Sequence, residues 1–222
     1  METVHFGRTG LSVSKLGLGC GGYSRLGTSR GVLERDAVDV VRCAVENGIT
    51  LIDTARGYGT EVHVGKALKE AGRDGITLCT KAGPRKEGRV RTEAELEEEV
   101  DRSLRALQTD CIDVYQLHGC GEDIYEQAIE TLVPAFEKMR NKGKIRFFGI
   151  TEMFERDTAH AMLQRAAQHT CWDTLMCGYN IINHSARRTV FPEAKRSGKG
   201  ILGMFAVRHA LVSRENLRPL CE

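Results

Sequence analysis

Apolar residues along this chain fall into two alternating patterns. Short runs at 49–53, 76–81, 112–118, 145–150 and 174–179 are rich in Ile, Leu and Val and read as buried strands. Between them lie segments at 36–47, 60–72, 92–107, 124–141, 158–167 and 187–195 with the period of an amphipathic helix. Gly48, Gly72 and Gly143 stand where helix C-termini are expected, and Thr60 where a cap is expected. T-E-A-E at 92–95 has the spacing of a capping box. Upstream, 3–13 reads as a β-hairpin turning at G-R-T-G, and 15–19 as a short first core strand. A seventh strand is expected at 200–207.

Strand starts recur roughly every 25–35 residues, the pitch of a βα unit. The predicted fold is therefore α/β: a (β/α)8 barrel with an N-terminal hairpin, incomplete at about seven units, in a single domain over 1–222. The helix start at 213–217, so near the last residue, suggests a chain cut short before an eighth strand. In that case the first and seventh strands are left as open edges.

In a parallel barrel every strand ends on one face, where the active site lies. Run 49–53 ends in Asp53, run 76–81 in Lys81 and run 112–118 in His118; Tyr58 lies one loop beyond the first, between two glycines. These four are expected to converge. Each alone has an ordinary explanation, as a turn acid, a solvated lysine, a surface aromatic or a histidine bonded to a carbonyl. Together, at matching topological positions, they suit carbonyl reduction. A phenol titrates near 10, and lowering it by about 2–3 units takes roughly 3–4 kcal/mol. One ammonium about 4 Å away supplies about 4 kcal/mol at an effective dielectric of 20. Lys81 is the expected source, kept charged by Asp53, with His118 orienting the carbonyl. No side chain here donates hydride, so a nicotinamide cofactor is implied.

Composition narrows the alternatives. With 41% hydrophobic and 28% charged residues the chain can bury a core, and a net charge of +2 gives no electrostatic case for nucleic acid or an anionic membrane. No apolar run approaches the ~20 residues of a membrane span. The 8 cysteines contain no C-x-x-C pair, which points to a reducing cytoplasm. G-L-G-C-G-G at 17–22 matches a dinucleotide fingerprint but does not open into a helical period, so it reads as a flexible turn that a ligand can approach. No metal site is expected, because His118 and Cys120 lack a third ligand at recognised spacing. A Cys120 nucleophile beside His118 leaves Asp53, Tyr58 and Lys81 unexplained.

The stretch L-I-D-T-A-R-G-Y-G at 51–59, the hairpin F-G-R-T-G-L-S-V-S-K-L-G-L-G at 6–19 and N-K-G-K-I-R-F-F-G-I-T at 141–151 together resemble the aldo-keto reductases. The segment E-T-L-V-P-A-F at 130–136 is most similar to the L-galactose dehydrogenase-like branch. The resemblance implies catalytic roles for Asp53, Tyr58, Lys81 and His118 and an extended NADPH, or NADH, across the strand-end face. It implies cofactor contacts at Cys20, Gly21, Asp53, Thr151, Glu152 and Phe205. Glu152 stands where the family has an amide donor, and Met176 where it has Gln. The basic segment that grips the adenosine phosphate in the family falls beyond residue 222. The expected function is NAD(P)-dependent interconversion of small carbonyl compounds, sugar lactols among them, and alcohols. A cofactor-sensing regulatory subunit, or an inactive fragment of the enzyme, is the alternative.

Overall fold

A computed structural model describes residues 1–206 and Arg218. The hairpin strands β1 (Thr3–His5) and β2 (Ser12–Ser14) come first, followed by β3 (Leu18–Gly19), α1 (Glu34–Glu46), β4 (Leu51–Asp53) and α2 (Glu61–Ala71). Next are β5 (Thr77–Ala82), a small hairpin of β6 (Arg85–Lys86) and β7 (Arg89–Val90), α3 (Glu93–Leu107), β8 (Ile112–Cys120) and α4 (Tyr125–Asn141). The described elements close with β9 (Ile145–Glu152), α5 (Ala161–Gln168), β10 (Thr174–Gly178), α6 (Ala186–Thr189), α7 (Phe191–Arg196) and β11 (Gly200–Met204). Position 207 and the helix start expected at 213–217 lie outside the described residues.

Seven parallel strands pair in the order β11-β10-β9-β8-β5-β4-β3, an incomplete barrel as expected. Alternation along the strands sends one set of side chains inward and the other toward the helices. Leu51, Cys79, Val114, Met176 and Leu202 form the inner set, together with Phe6 and Val13 of the hairpin. The hairpin thus plugs the N-terminal end of the barrel. It also ties its two sides together: the Ser14 backbone N–H donates to Thr50 Oγ1 at 2.7 Å, and that of Arg8 donates to Gly198 O at 2.6 Å. On the helix side, Phe136 stacks on Phe148 at 5.2 Å, and Trp172 meets both edge-on. The Trp172 indole N–H donates to the Tyr125 hydroxyl at 3.1 Å, so this large buried ring leaves no donor unpaired.

The elements differ from the sequence reading in four places. The helix expected at 158–167 starts at Ala161, because the Asp157 carboxylate accepts from the Ala161 and Met162 N–H groups and caps it there. The helix expected at 187–195 breaks into α6 and α7 at Val190. The β6–β7 hairpin is too short and polar to leave a period-2 signal. Strand β8 runs past His118 to Cys120, and its pairing with β9 shifts register between Leu117 and Cys120. His118 lies within that irregularity, a device that re-aims a side chain at a strand end.

Candidate active site

The C-terminal ends of β4, β5 and β8 bring Asp53, Lys81 and His118 together, and the turn Arg56–Tyr58 returns Tyr58 over them. Lys81 Nζ donates to both Asp53 oxygens, at 2.7 and 2.6 Å, and to Thr54 O at 2.9 Å. Its three donor protons are thereby spent. Gln116 Nε2 donates to Asp53 Oδ1 at 3.4 Å. The ammonium lies 5.3 Å from the centre of the Tyr58 ring, and the Tyr58 hydroxyl lies 3.3 Å from His118 Nε2. The Tyr58 and His118 rings meet edge-on, with centroids 5.4 Å apart.

Backbone contacts hold this arrangement from below. Cys20 N–H donates to Asp53 O at 2.8 Å, and Thr60 Oγ1 donates to Cys20 O at 3.1 Å. A Cβ at position 21 would overlap the Tyr58 ring, so Gly21 is the space in which that ring lies. Gly21 therefore serves the tyrosine locally, while Gly22 takes a left-handed turn with φ at 71°. It is followed by the short helical turns of Arg25–Arg30, and α1 begins only at Glu34, so 17–22 is no pyrophosphate-binding helix start.

The electrostatics of the buried pair are not those of two separate groups. Burial pulls Lys81 down, but Asp53 and then Tyr58 outweigh it, so its pKa rises and it stays an ammonium. For Asp53, burial pulls upward and the Lys81 contact downward; the two-oxygen geometry is that of an ion pair. Burial raises the Tyr58 phenol, and Lys81 offsets this only in part. The expected depression of the phenol is therefore not present in the chain by itself. The reason is plain in the contacts: the charge of Lys81 is answered by a carboxylate it touches, while the phenol lies further off. Burial, and next Lys81, push His118 down to about 4, so its imidazole is neutral near pH 7.

The remaining predicted contacts divide. Thr151 is buried and its hydroxyl accepts from the Gly119 N–H at 2.7 Å, which leaves its own proton to donate. Phe205 follows β11 with φ at 60° and stacks on Phe154 at 5.8 Å. Cys20 is fully buried, and its N–H and C=O are both bonded within the chain, to Asp53 O and Thr60 Oγ1, so the expected cofactor contact there is not presented. The Glu152 carboxylate is bonded to Gly178 N–H and to His160, not held open to the strand-end face. Met176 belongs to the inner apolar set. Cys120 is a buried thiol pushed up to about 12 by burial, a poor nucleophile.

Sequence reasoning missed Gln116, fully buried two residues before His118, on the same face of β8. The period-2 alternation of the strand was the signal for it. It also missed the residues that shape the opening beside His118. A cleft of about 490 Å³ there is lined by Gly83, Pro84, Arg85, Met153 and Arg156.

An incomplete parallel barrel with phenol, ammonium, carboxylate and imidazole at its strand ends defines a class of barrel with an acid–base site at the expected face. Comparison with known proteins makes the assignment specific. The profile of the Aldo/keto reductase family matches residues 15–220. The chain is 35% identical over 208 residues to Aldo-keto reductase YhdN of Bacillus subtilis, covering 88% of this chain and 59% of that protein. It is 33% identical over 223 residues to L-galactose dehydrogenase of Arabidopsis thaliana, covering 97% and 68%. The holo form of aldo-keto reductase AKR11C1 from Bacillus halodurans superposes with a TM-score of 0.77 at 33% identity, over 91% of this chain and 65% of that one. An aldo/keto reductase from Klebsiella pneumoniae, solved in complex with NADP and acetate, gives 0.69 at 28% identity over 91% and 67%. The chain belongs to the aldo/keto reductase family, and it spans about 59% of the length of YhdN.

Proposed function

We propose that this protein is an NAD(P)-dependent oxidoreductase that interconverts carbonyl compounds, among them aldehydes, ketones and sugar lactols, with alcohols. The single observation that carries the reading is the Tyr58 hydroxyl 3.3 Å from a neutral His118, itself a wall of the cleft, with the Lys81 ammonium 5.3 Å from the phenol ring. The donor set suits a nicotinamide in part. Thr151 retains a hydroxyl proton, Phe205 offers an aromatic face, and Gly21 lies against the ring of Tyr58. Thr151, Phe205, Asp53 and the Gly21 backbone would hold the cofactor; Cys20, Glu152 and Met176 contribute no free polar group. When bound, the cofactor supplies or accepts the hydride.

The chain's own residues manage the proton. His118 Nε2 and the Tyr58 hydroxyl fix the position of the reacting oxygen between them. In reduction Tyr58 gives its proton to that oxygen; in oxidation the phenolate takes it back. Lys81 stabilises the phenolate that forms, and Asp53 keeps Lys81 charged and pointed. A phenol raised by burial is a weak acid at rest. The developing negative charge on the carbonyl oxygen is what makes its proton transferable.

No helix among the described residues is long and apolar enough to cross a membrane, and the seven described cysteines are free, in keeping with a cytoplasmic location. Substituting Tyr58→Phe is expected to lower kcat by at least about 10²-fold while the Kd for NADPH, followed by fluorescence titration, stays within about twofold. A matched loss of both would remove Tyr58 from the chemistry. The commitment of Glu152 to its neighbours and the apolar surroundings of Met176 favour a second reading, a cofactor-sensing subunit. Steady-state NADPH oxidation with a panel of aldehydes separates the two, since a sensor binds without turnover.

A further inference from the structure

A second group of titratable side chains lies apart from these four, between the sheet and the helix layer. Glu152 ends β9, His160 is the N-cap residue of α5, and Cys177 lies on β10. All three are buried, at 3%, 0% and 0% exposure. One donor atom of each, a carboxylate oxygen, Nδ1 and Sγ, lies within 4.8 Å of the others.

The surrounding hydrogen bonds fix the protons. Asn183 Nδ2 donates to Thr158 O at 3.0 Å, so its Oδ1 is the end turned to Ser185. That oxygen accepts from Ser185 N–H at 3.1 Å and from the Ser185 hydroxyl at 2.6 Å. A serine hydroxyl has one proton, and this one is committed to the amide. Ser185 Oγ must therefore accept from His160 Nε2, 3.0 Å away, which places a proton on Nε2. A neutral imidazole then presents a bare lone pair at Nδ1. Yet Nδ1 faces both oxygens of Glu152, at 3.0 and 2.9 Å. Lone pairs do not face one another at that distance in a buried site. One positive charge, a proton or a metal ion, has to lie between them.

Three features favour the metal. A single N–H has one preferred acceptor, whereas the near-equal distances present the carboxylate edge-on, as it chelates a cation. A third donor of the right kind, Cys177 Sγ, is 3.7 Å from Nδ1. The donors are already oriented by their neighbours, the imidazole through Nε2 to Ser185 Oγ and the carboxylate through the Gly178 N–H, which donates to Oε1 at 2.7 Å, the supporting bonds that ligands require. Zinc bonds of about 2.0–2.1 Å to N and O and about 2.3 Å to S span these separations at angles of roughly 90° and 115°.

We propose that Glu152, His160 Nδ1 and Cys177 form a buried site for a thiophilic divalent cation, with Zn²⁺ the best match. The ion replaces the proton shared by Glu152 and His160 and the thiol proton of Cys177, so two protons leave for each ion bound and no redox change occurs. A water or an incoming ligand completes the coordination. The site would fasten the end of β9 to α5 and β10, and Thr151 next to it reaches the strand-end face through Gly119. It stands independently of the redox reading.

The test uses the full chain, expressed with zinc supplied and purified without chelator. Elemental analysis is expected to find about one zinc per chain, falling at least fivefold in Cys177→Ser and His160→Gln. Cobalt titration of the metal-free protein is expected to give a thiolate-to-cobalt absorption band, lost in Cys177→Ser. Calorimetry in buffers of different ionisation enthalpy is expected to report two protons released per ion, and one in Cys177→Ser. Should His160→Gln fail to fold, the wild-type stoichiometry and the near-isosteric Cys177→Ser still decide. Wild-type protein with under a tenth of an ion per chain and no cobalt–thiolate band would show that only a proton bridges the pair. Equal zinc in wild type and both variants would show adventitious binding and also overturn the site.

Discussion

Two buried acid–base pairs stand at the strand ends of this barrel, and they are built differently. Asp53 and Lys81 face each other with matched charges and every Lys81 proton placed, and they lie beneath a phenol whose hydroxyl reaches His118 in the wall of a cleft. Glu152 and His160 face each other with one positive charge still to be supplied and lie under the helix layer, closed off from solvent. The first pair needs nothing added, and on the proposed function it serves a reaction at its neighbour. The second needs one positive charge, which the proposed site supplies as a metal ion. Burial raises both carboxylates, so burial alone does not say which pair does chemistry. The neighbours do: a titratable phenol and an opening in one case, a serine and an asparagine in the other.

The largest effect comes from turning the first pair into the condition of the second. Lys81→Met leaves Asp53, a partly buried carboxylate, without its cation, at a cost of up to about 3–5 kcal/mol. Urea denaturation followed by circular dichroism measures this. The double variant Asp53→Asn, Lys81→Met is expected to regain more than half of the loss, because no uncompensated charge remains. Turnover is expected to vanish in both. A double variant no more stable than the single would mean that the pair's cost lies in packing and not in charge.

The first pair was legible in the sequence and the second was not, for a physical reason. Asp53, Lys81 and His118 each end an apolar run, and parallel topology alone brings strand ends together. Glu152, His160 and Cys177 are separated by 8 and 17 positions and occupy a strand end, a helix cap and a strand interior, so no single period relates them. The seven strands could be read because each carries a cluster of apolar residues at roughly regular spacing along the chain. The β6–β7 hairpin and the break between α6 and α7 depend on polar and capping contacts made across the chain. The direction of the Tyr58 shift was equally hidden, since spacing gives the neighbours of a phenol but not how deeply the fold buries it.

Each pair also has a ring resting on a glycine. Tyr58 lies on Gly21, and Phe154 on Gly178; a Cβ at either position would overlap the ring. Gly21→Ala is expected to move the phenol off its line to the substrate and lower kcat by about 10–100-fold, since a displacement near 1 Å can cost about that much. Stability should change by less than for Lys81→Met. Gly178→Ala moves a ring with no part in proton transfer, so it should lower Tm while leaving kcat within about threefold. Equal losses of kcat in the two variants would erase the distinction between the regions.

The histidines sharpen the contrast in pH. His118 falls to about 4 in the folded chain, against about 6.5 unfolded. Between those values the unfolded chain binds more protons, so stability rises with pH across the window. The contribution is fully present above about 6.5 and is lost as pH falls through 4. His118→Gln is expected to flatten the decline of the unfolding free energy between pH 6.5 and 4, followed by urea denaturation, by an amount on the order of 1–3 kcal/mol. A decline equally steep in the variant would assign that acid sensitivity elsewhere.

The smallest effect belongs to Gln116. Its Nε2 reaches Asp53 Oδ1 at 3.4 Å, a long bond, while its own Oε1 is buried without a partner among the described residues. Removing the amide therefore takes away a weak contact and relieves an unpaired acceptor at the same time. Gln116→Leu, close in volume, is expected to change stability by less than about 1 kcal/mol in either direction, because the two terms oppose. Turnover should fall by only about two- to fivefold, since Lys81 still holds Asp53 by both oxygens. Denaturation and steady-state kinetics on the same preparation check both parts. A loss of turnover approaching that of Lys81→Met would mean that the amide, and not the ammonium, fixes the carboxylate.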